Sequence, residues 1–260
     1  MTLPAEMATD AEDRFQFTCQ PGMACFTRCC ANLNLVLTPY DIVRLKRTLG
    51  ISAEAFLDRF TQASSDGTCG LPVVRLRMDP DTGRCPFVSA DGCTVYADRP
   101  GACRLYPLGQ ALKEVGGHLQ RRYFAIRESY CLGWNQGRVW RVADWLADQG
   151  LEAYQQMNLP FLRLSTGRPL IAFKNFGQRQ LQMYFMACYN LDAFRQFVAG
   201  SSLKRRFALN DELCQRLQED DETLLYFAGR WLEFALFGTG VLPQSLSQVL
   251  PAPEVEVTDR

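Results

Sequence analysis

Histidine is almost missing from this sequence, and its scarcity limits the chemistry that the chain can support. Among 260 residues there is one histidine, His118, which we expect to lie exposed in a turn. Iron sites with two histidines and zinc sites rich in histidine are therefore excluded. An excess of charge is missing as well, because Lys plus Arg and Asp plus Glu number 28 each. We therefore predict no strongly cationic surface for nucleic acid or membranes, although a local patch stays open.

Long apolar runs and a targeting segment are lacking too. Residues 1–10 show no cationic start followed by an apolar stretch, which a signal peptide would require. The longest apolar-rich run, residues 224–237, carries Arg230 and Glu233 and is too short to span a bilayer. We therefore expect a cytoplasmic protein without a membrane span. In that reducing compartment, the 11 cysteines are expected to bind a metal or cluster rather than to form a disulfide framework.

The distribution of the cysteines divides the chain near residue 134. Nine of the 11 lie within residues 19–131, whereas Cys188 and Cys214 lie in apolar helical patterns and are predicted to be packed thiols. The oligomeric state is not predicted. We predict four regions: an N-terminal extension (1–14), a cysteine-cluster metal-binding domain (15–134), a mostly helical region packed on it (135–250) and a disordered tail (251–260).

Local patterns predict an α+β fold that is rich in helix, with an irregular cysteine-rich half followed by a mostly helical half. Thr38 is a predicted N-cap, with Asp41 as its cap acid and Gly50 as the helix end. Ser52 is predicted to cap a second helix that ends near Phe60. Strands are predicted at 73–78, in a hairpin over 85–96, at 121–127 and, as a strand or a buried connector, at 169–173. Further helices are predicted at 139–147, 151–157, 177–189, 191–198, 209–218 and 221–237.

The strongest chemical signal is a group of thiols near the N-terminus. Cys19, Cys25, Cys29 and Cys30 fall within 12 residues and are predicted metal ligands. Successive side chains diverge, so Cys29 and Cys30 do not easily bind one small ion. Either two sites share this segment, or one of the pair is a packed thiol. The further ligand candidates are Cys69, Cys85, Cys93, Cys103 and Cys131, which gives enough thiols for two four-thiolate sites with one left over. A set this rich in sulfur suits zinc, a [4Fe–4S] cluster or a [2Fe–2S] cluster.

Two arginines flank one of these cysteines. Arg99 and Arg104 lie on either side of Cys103 and are candidate cofactor-binding residues, because guanidinium groups bind carboxylates and phosphates bidentately. The alternatives are neutralisation of thiolate charge, or an ordinary ion pair with Asp91 or Asp98. The segment 106–107 (Tyr-Pro) is expected to pack over the metal site.

Three segments together resemble a known family. They are CFTRCC at 25–30, LTPYDIVRL at 37–45 and GCTVYADRPGACRLYP at 92–107. The pattern resembles the YkgJ-type cysteine-cluster family over about residues 15–134, and this resemblance implies a zinc- or iron-chelating domain. The gap between the first two cysteines is longer than the commonest pattern of that family. The region after 134 carries no motif of the family.

The resemblance also suggests an activity. One branch of the family is similar to flagellin lysine-N-methylases, which implies methyl transfer from S-adenosylmethionine to a protein or other macromolecule. The sequence lacks the CxxxCxxC arrangement of radical-S-adenosylmethionine enzymes and the GxGxG loop of conventional methyltransferases. Three hypotheses therefore stay open: an iron–sulfur or zinc protein that supports such a modification, a structural zinc-binding interaction module, and a metal-handling protein whose exposed thiolates also suit Cu(I).

Overall fold

The computed structural model of the chain describes residues 13–65, 70–115, 118–166, 173, 175–245 and 248–249. Short antiparallel strands dominate the first half and helices the second, which confirms the predicted helix-rich α+β fold. Three predicted features lie outside the described residues: the tail from 251, the segment 169–173 apart from Phe173, and Cys69. Almost all of the predicted N-terminal extension lies outside them as well.

Small antiparallel sheets and short helices build the first half of the chain. The strands pair as β1 with β9, as β2-β4-β3, as β5 with β6, and as β7 with β8. The strands are β1 (Arg14–Phe17), β2 (Val36–Leu37), β3 (Thr61–Ser65), β4 (Pro72–Leu76), β5 (Val88–Ser89), β6 (Gly92–Cys93), β7 (Leu108–Val115), β8 (His118–Ala125) and β9 (Trp134–Arg141). The helices are α1 (Pro39–Leu49), α2 (Ala53–Phe60) and α3 (Gly101–Leu105), with 3₁₀ turns at Arg28–Cys30 and Tyr96–Asp98.

Helices make up the described part of the second half beyond β9. They are α4 (Val142–Asp148), α5 (Leu151–Thr166), α6 (Gln178–Tyr189), α7 (Leu191–Gly200), α8 (Leu203–Arg206), α9 (Asp211–Glu219) and α10 (Asp221–Phe237). Side chains of Asn190, Asn210 and Asp220 accept backbone N–H groups at the starts of α7, α9 and α10, as N-caps do. In the described part of the chain, no helix has both the length and the apolar character needed to cross a bilayer.

The cap signals of the first half form as predicted. The Asp41 N–H donates to Thr38 Oγ1 at 3.3 Å, and the Thr38 N–H donates to the Asp41 carboxylate at 2.7 Å, so α1 begins with a complete capping box. Gly50 ends the helix in the left-handed conformation with φ of 63°. Ser52 accepts the Ala55 N–H at 3.1 Å and caps α2.

One predicted helix begins too early. Val139 shares the apolar stripe of residues 142–147, but it lies in β9, where it pairs with Gln16 of β1. The side chain of Val139 is 55% exposed, and the helix begins at Val142. The prediction of helix from 139 is therefore wrong, because pairing with a distant strand outweighs the local spacing. His118 likewise begins β8 instead of lying in a turn.

The larger hydrophobic core joins the two halves of the chain. Helix α1 packs against α5, α6 and α10, and its buried side chains include Ile42 and Leu45. Polar contacts follow the same interface: the Tyr40 N–H donates to Asn158 Oδ1 at 3.2 Å, and Lys46 Nζ donates to Asp192 Oδ1 at 2.8 Å. The first half therefore does not bury its apolar surface by itself.

A smaller core lies beneath the paired strands β1 and β9. Phe17 is its centre, and its ring makes edge contacts with the rings of Tyr106, Trp134 and Trp145. These aromatic contacts hold the end of β1 against the start of β9. Both chain segments next to this point carry cysteines.

Candidate metal centre

One set of thiols gathers where β1 ends and β9 begins. The Thr18 N–H donates to the Gly133 carbonyl at 3.1 Å, so the residues after β1 lie beside the residues before β9. The Leu132 N–H donates to the Cys25 sulfur at 3.4 Å and fixes Cys25 at the same place. We refer to four cysteines as the first thiol group: Cys19, Cys25, Cys29 and Cys131.

Electrostatic interactions join the members of the first thiol group. Burial, together with the charges of the other three thiols, raises the pKa of Cys19 to about 11. Cys19 is the exposed member, Cys25 is buried, and Cys29 and Cys131 are half-buried. The charges of the other three thiols disfavour ionisation of Cys19, and a bound cation would offset that repulsion.

A second set of thiols lies on the β5–β6 hairpin, on α3 and on the loop that precedes them. The Cys85 N–H donates to the Cys30 carbonyl at 2.8 Å. Val88 of β5 pairs with Cys93 of β6, which brings Cys93 towards Cys85. We refer to four cysteines as the second thiol group: Cys30, Cys85, Cys93 and Cys103.

Charges join the members of the second thiol group as well. Burial raises the pKa of the Cys103 thiol to about 12, and the charges of Asp41, Cys85, Cys93 and the neighbouring Cys29 act in the same direction. The charges of Cys85, Cys103 and Cys93 also act on Cys30. Cys85, Cys93 and Cys103 pack against the larger core, whereas Cys131 packs against the smaller one. The two groups therefore have different surroundings.

The adjacent residues Cys29 and Cys30 belong to different groups. They lie in the 3₁₀ turn after Thr27, which is in the left-handed region with φ of 65°. Their sulfur atoms are 4.0 Å apart. Their hydrogen bond raises the pKa of Cys29 and lowers that of Cys30. This turn places the two groups next to each other.

The donors fit zinc or iron. All eight cysteines of the two groups are free thiols, and thiolates are common ligands of zinc and of iron–sulfur clusters. Within the described ranges, no three Cys, His, Asp or Glu side chains are already spaced as ligands of one ion. Binding of a metal by either group would therefore require its thiols to turn towards a common point and to lose their protons.

The two predicted cofactor-binding arginines contact the protein backbone. Arg99 donates to the Tyr96 carbonyl at 2.7 Å and to the side chain of Gln149. Arg104 donates to the Gln149 carbonyl at 2.7 Å, to the Arg99 carbonyl at 3.2 Å and to the carbonyl of Ala97. These bonds brace the loop that leads into α3. The role of both residues in holding a cofactor stays a prediction.

Arg99 also acts electrostatically on the second thiol group. Its charge interacts with those of Cys103 and Cys93. This interaction agrees with the alternative interpretation of the arginines, in which they balance thiolate charge.

Asp41 has a role that the sequence pattern did not reveal. It is 1% exposed, and besides capping α1 it accepts the Gly101 N–H at 2.8 Å. Burial raises the pKa of the Asp41 carboxyl, while the N–H groups of Gly101 and Thr38 oppose that change. Gly101 begins the helix that carries Cys103, so Asp41 holds that helix against α1.

We expect Asp41→Asn to lower the free energy of unfolding by about 2 kcal/mol, because the amide replaces one acceptor oxygen with a donor that faces a backbone N–H. The second thiol group should bind its metal less tightly. Urea unfolding and metal titration measure the two effects. Asp144→Asn is the matched control, since Asp144 lies in the first turn of α4 with an exposed partner, Arg141. Unchanged stability of Asp41→Asn would show that the carboxylate does not hold α3.

Two further cysteines, Cys188 and Cys214, lie on helices α6 and α9 of the second half. Cys188 is 1% exposed in the larger core, and Cys214 is half-buried against it, which confirms that both are packed thiols.

Clustered thiols of this kind define a metal-chelating domain, and comparison with known families assigns it. Residues 18–132 match the model of the CxxCxxCC family, described as a putative zinc- or iron-chelating domain. The match over this part of the chain confirms the cysteine-cluster resemblance found in the sequence. Both thiol groups lie entirely within the matched range. No curated protein and no solved structure gives a significant match.

Proposed function

We propose that the protein binds zinc or iron in two adjoining four-thiolate centres, one in each thiol group. The electrostatic surroundings of Cys29 and Cys30 support this proposal, because the charge of Cys29 acts on Cys19 of the first group, whereas the charges of Cys85, Cys93 and Cys103 act on Cys30. The first centre uses Cys19, Cys25, Cys29 and Cys131, and the second uses Cys30, Cys85, Cys93 and Cys103. Cys69 is the thiol left over.

The surroundings of the two groups support different roles for the two centres. Three thiols of the second group pack against the larger core, where a bound metal stabilises the loops around it. The first group includes the exposed Cys19, which gives its metal access to solvent. The second centre is therefore the structural one, and the first is the one able to exchange or react.

Methyl transfer to a protein or other macromolecule rests on the resemblance alone. No contact among the described residues adds support for S-adenosylmethionine binding or for a catalytic group. The function proposed for this protein is therefore metal binding. Zinc and a [4Fe–4S] cluster suit the same thiolate ligands, so the metal itself has to be measured.

We expect the protein to contain enough metal to fill both centres when it is purified without oxygen and without added metal. Zinc would give a colourless protein, and iron with sulfide would give a broad absorption band near ~400 nm. Elemental analysis combined with an absorption spectrum distinguishes the two. Metal sufficient for one centre only, even after reconstitution under reducing conditions, would contradict the proposal.

A further inference from the structure

The hydroxyl group of Tyr106 is a buried donor next to the first thiol group. Tyr106 directly follows α3, and its ring meets the Phe17 ring edge-on with centroids 6.1 Å apart. The hydroxyl oxygen is fully buried, and in the described part of the chain it forms no hydrogen bond of ordinary geometry. Buried hydroxyl groups nearly always have a partner, so this exception requires an explanation.

The neighbour of the hydroxyl group is the thiol of Cys131. Burial and a hydrogen-bonding contact with the Cys131 side chain hold the pKa of Tyr106 well above its ordinary value, and the charges of Cys131, Tyr130 and Cys29 act in the same direction. Both cysteines are members of the first thiol group. Tyr106 and Cys131 also pack against the same small core. A neutral thiol is a weak acceptor, and this explains why a close sulfur does not satisfy the hydroxyl group.

We infer that the Tyr106 hydroxyl group donates a hydrogen bond to the metal-bound thiolate of Cys131. This inference rests on the proposed function, because the acceptor is a thiolate only when the first centre holds its metal. Loss of the proton gives the sulfur a negative charge, and a charged acceptor forms the stronger hydrogen bond. When the metal is bound, the thiolate of Cys131 is therefore the hydrogen-bond acceptor that the buried hydroxyl group lacks.

The hydrogen bond makes Tyr106 a positioning residue that distinguishes the two centres. Hydrogen bonds to ligand sulfur atoms tune both the affinity of a metal centre and its reduction potential. The first centre has a buried phenol beside it, whereas the second has the guanidinium group of Arg99. Removal of the phenol oxygen should therefore alter one centre and leave the other unchanged.

The test compares Tyr106→Phe with a matched control in the full-length chain loaded with ¹¹³Cd²⁺ in place of the native metal. Tyr123→Phe is the control, because its buried hydroxyl group belongs to the same small core but accepts from Gln155 Nε2 at 3.0 Å. In Tyr106→Phe we expect the cadmium resonance of the first centre to shift and that of the second to stay. The affinity of the first centre should fall about tenfold. Tyr123→Phe should change neither resonance.

The outcomes separate this inference from the proposed function. Failure of the unmodified protein to bind cadmium at two centres would overturn the proposed function and the inference with it. Normal cadmium binding with an unshifted spectrum in Tyr106→Phe would overturn the inference alone. If Tyr106→Phe does not fold, 3-fluorotyrosine at position 106 keeps the ring and strengthens the donor. The resonance of the first centre must then shift, and an unchanged resonance would overturn the inference.

Discussion

Cys29→Ser will empty the first centre and leave the second loaded, and Cys30→Ser will do the reverse. Each substitution removes one of four thiolates from its own centre, and the hydroxyl group of serine is a poor ligand for zinc or for an iron–sulfur cluster. Elemental analysis should find about half of the normal metal in each variant. Cadmium spectra should show a different missing resonance in the two variants. Substitution at two adjacent positions would thus remove the metal from two different centres.

The control for this pair is Cys214→Ser, which changes a half-buried thiol outside both groups and should keep the full metal content. Complete loss of metal in both cysteine variants would indicate one shared centre. Full retention in both would show that neither residue is a ligand. Loss in only one of them would indicate that the other is a packed thiol, the alternative that the sequence left open.

Removal of the metal will disorder the thiol-bearing loops and leave the helical core folded. Structural zinc contributes on the order of 10 kcal/mol or more to the folding of its site, so the loops lose most of their stabilisation. Helix α1 keeps its contacts with α5, α6 and α10, and none of these helices carries a cysteine of either thiol group. Hydrogen exchange should rise sharply in residues 18–32, 79–107 and 127–133. The helical circular dichroism should largely remain.

Addition of zinc or iron back to the chelated protein is the control, because the lost protection from exchange should return with the metal. Global unfolding on chelation would mean that the larger core does not stand without the metal. Unchanged exchange in all three segments would mean that the metal has no structural role. Either result would contradict the expectation that the thiol-bearing loops need the metal in order to stay ordered and that the larger core stays folded without it.

Local signals in the sequence predicted much of the fold. Thr38 and Ser52 begin their helices because a cap needs only the next three residues. The helices of the second half follow from apolar spacing for the same reason. The pairing of β1 with β9 could not be predicted in this way, because Gln16 and Val139 are distant in sequence and β9 is mostly exposed. Apolar spacing alone therefore predicts a helix at Val139, which is wrong.

The sequence predicts which cysteines belong to the candidate site, but it does not predict how they divide between the two thiol groups. The number and spacing of the cysteines indicate thiolate ligands, and the adjacent pair suggests two sites. The division of the thiols depends on how distant loops close, as when the Thr18 N–H meets the Gly133 carbonyl. Asp41 shows the same limit: its role in capping is visible in the sequence, but its bond to Gly101 arises only from the packing of α1 against α3.

The core shared between the two halves restricts how the cysteine domain can be excised or transplanted. A fragment of residues 18–132 would lose the helices that cover α1 and would expose Leu45, which is fully buried in the intact chain. Apolar surface of that kind favours aggregation in a truncated protein. A recombinant fragment would thus need a substitute scaffold to remain monodisperse. In this chain the helical half acts as that scaffold.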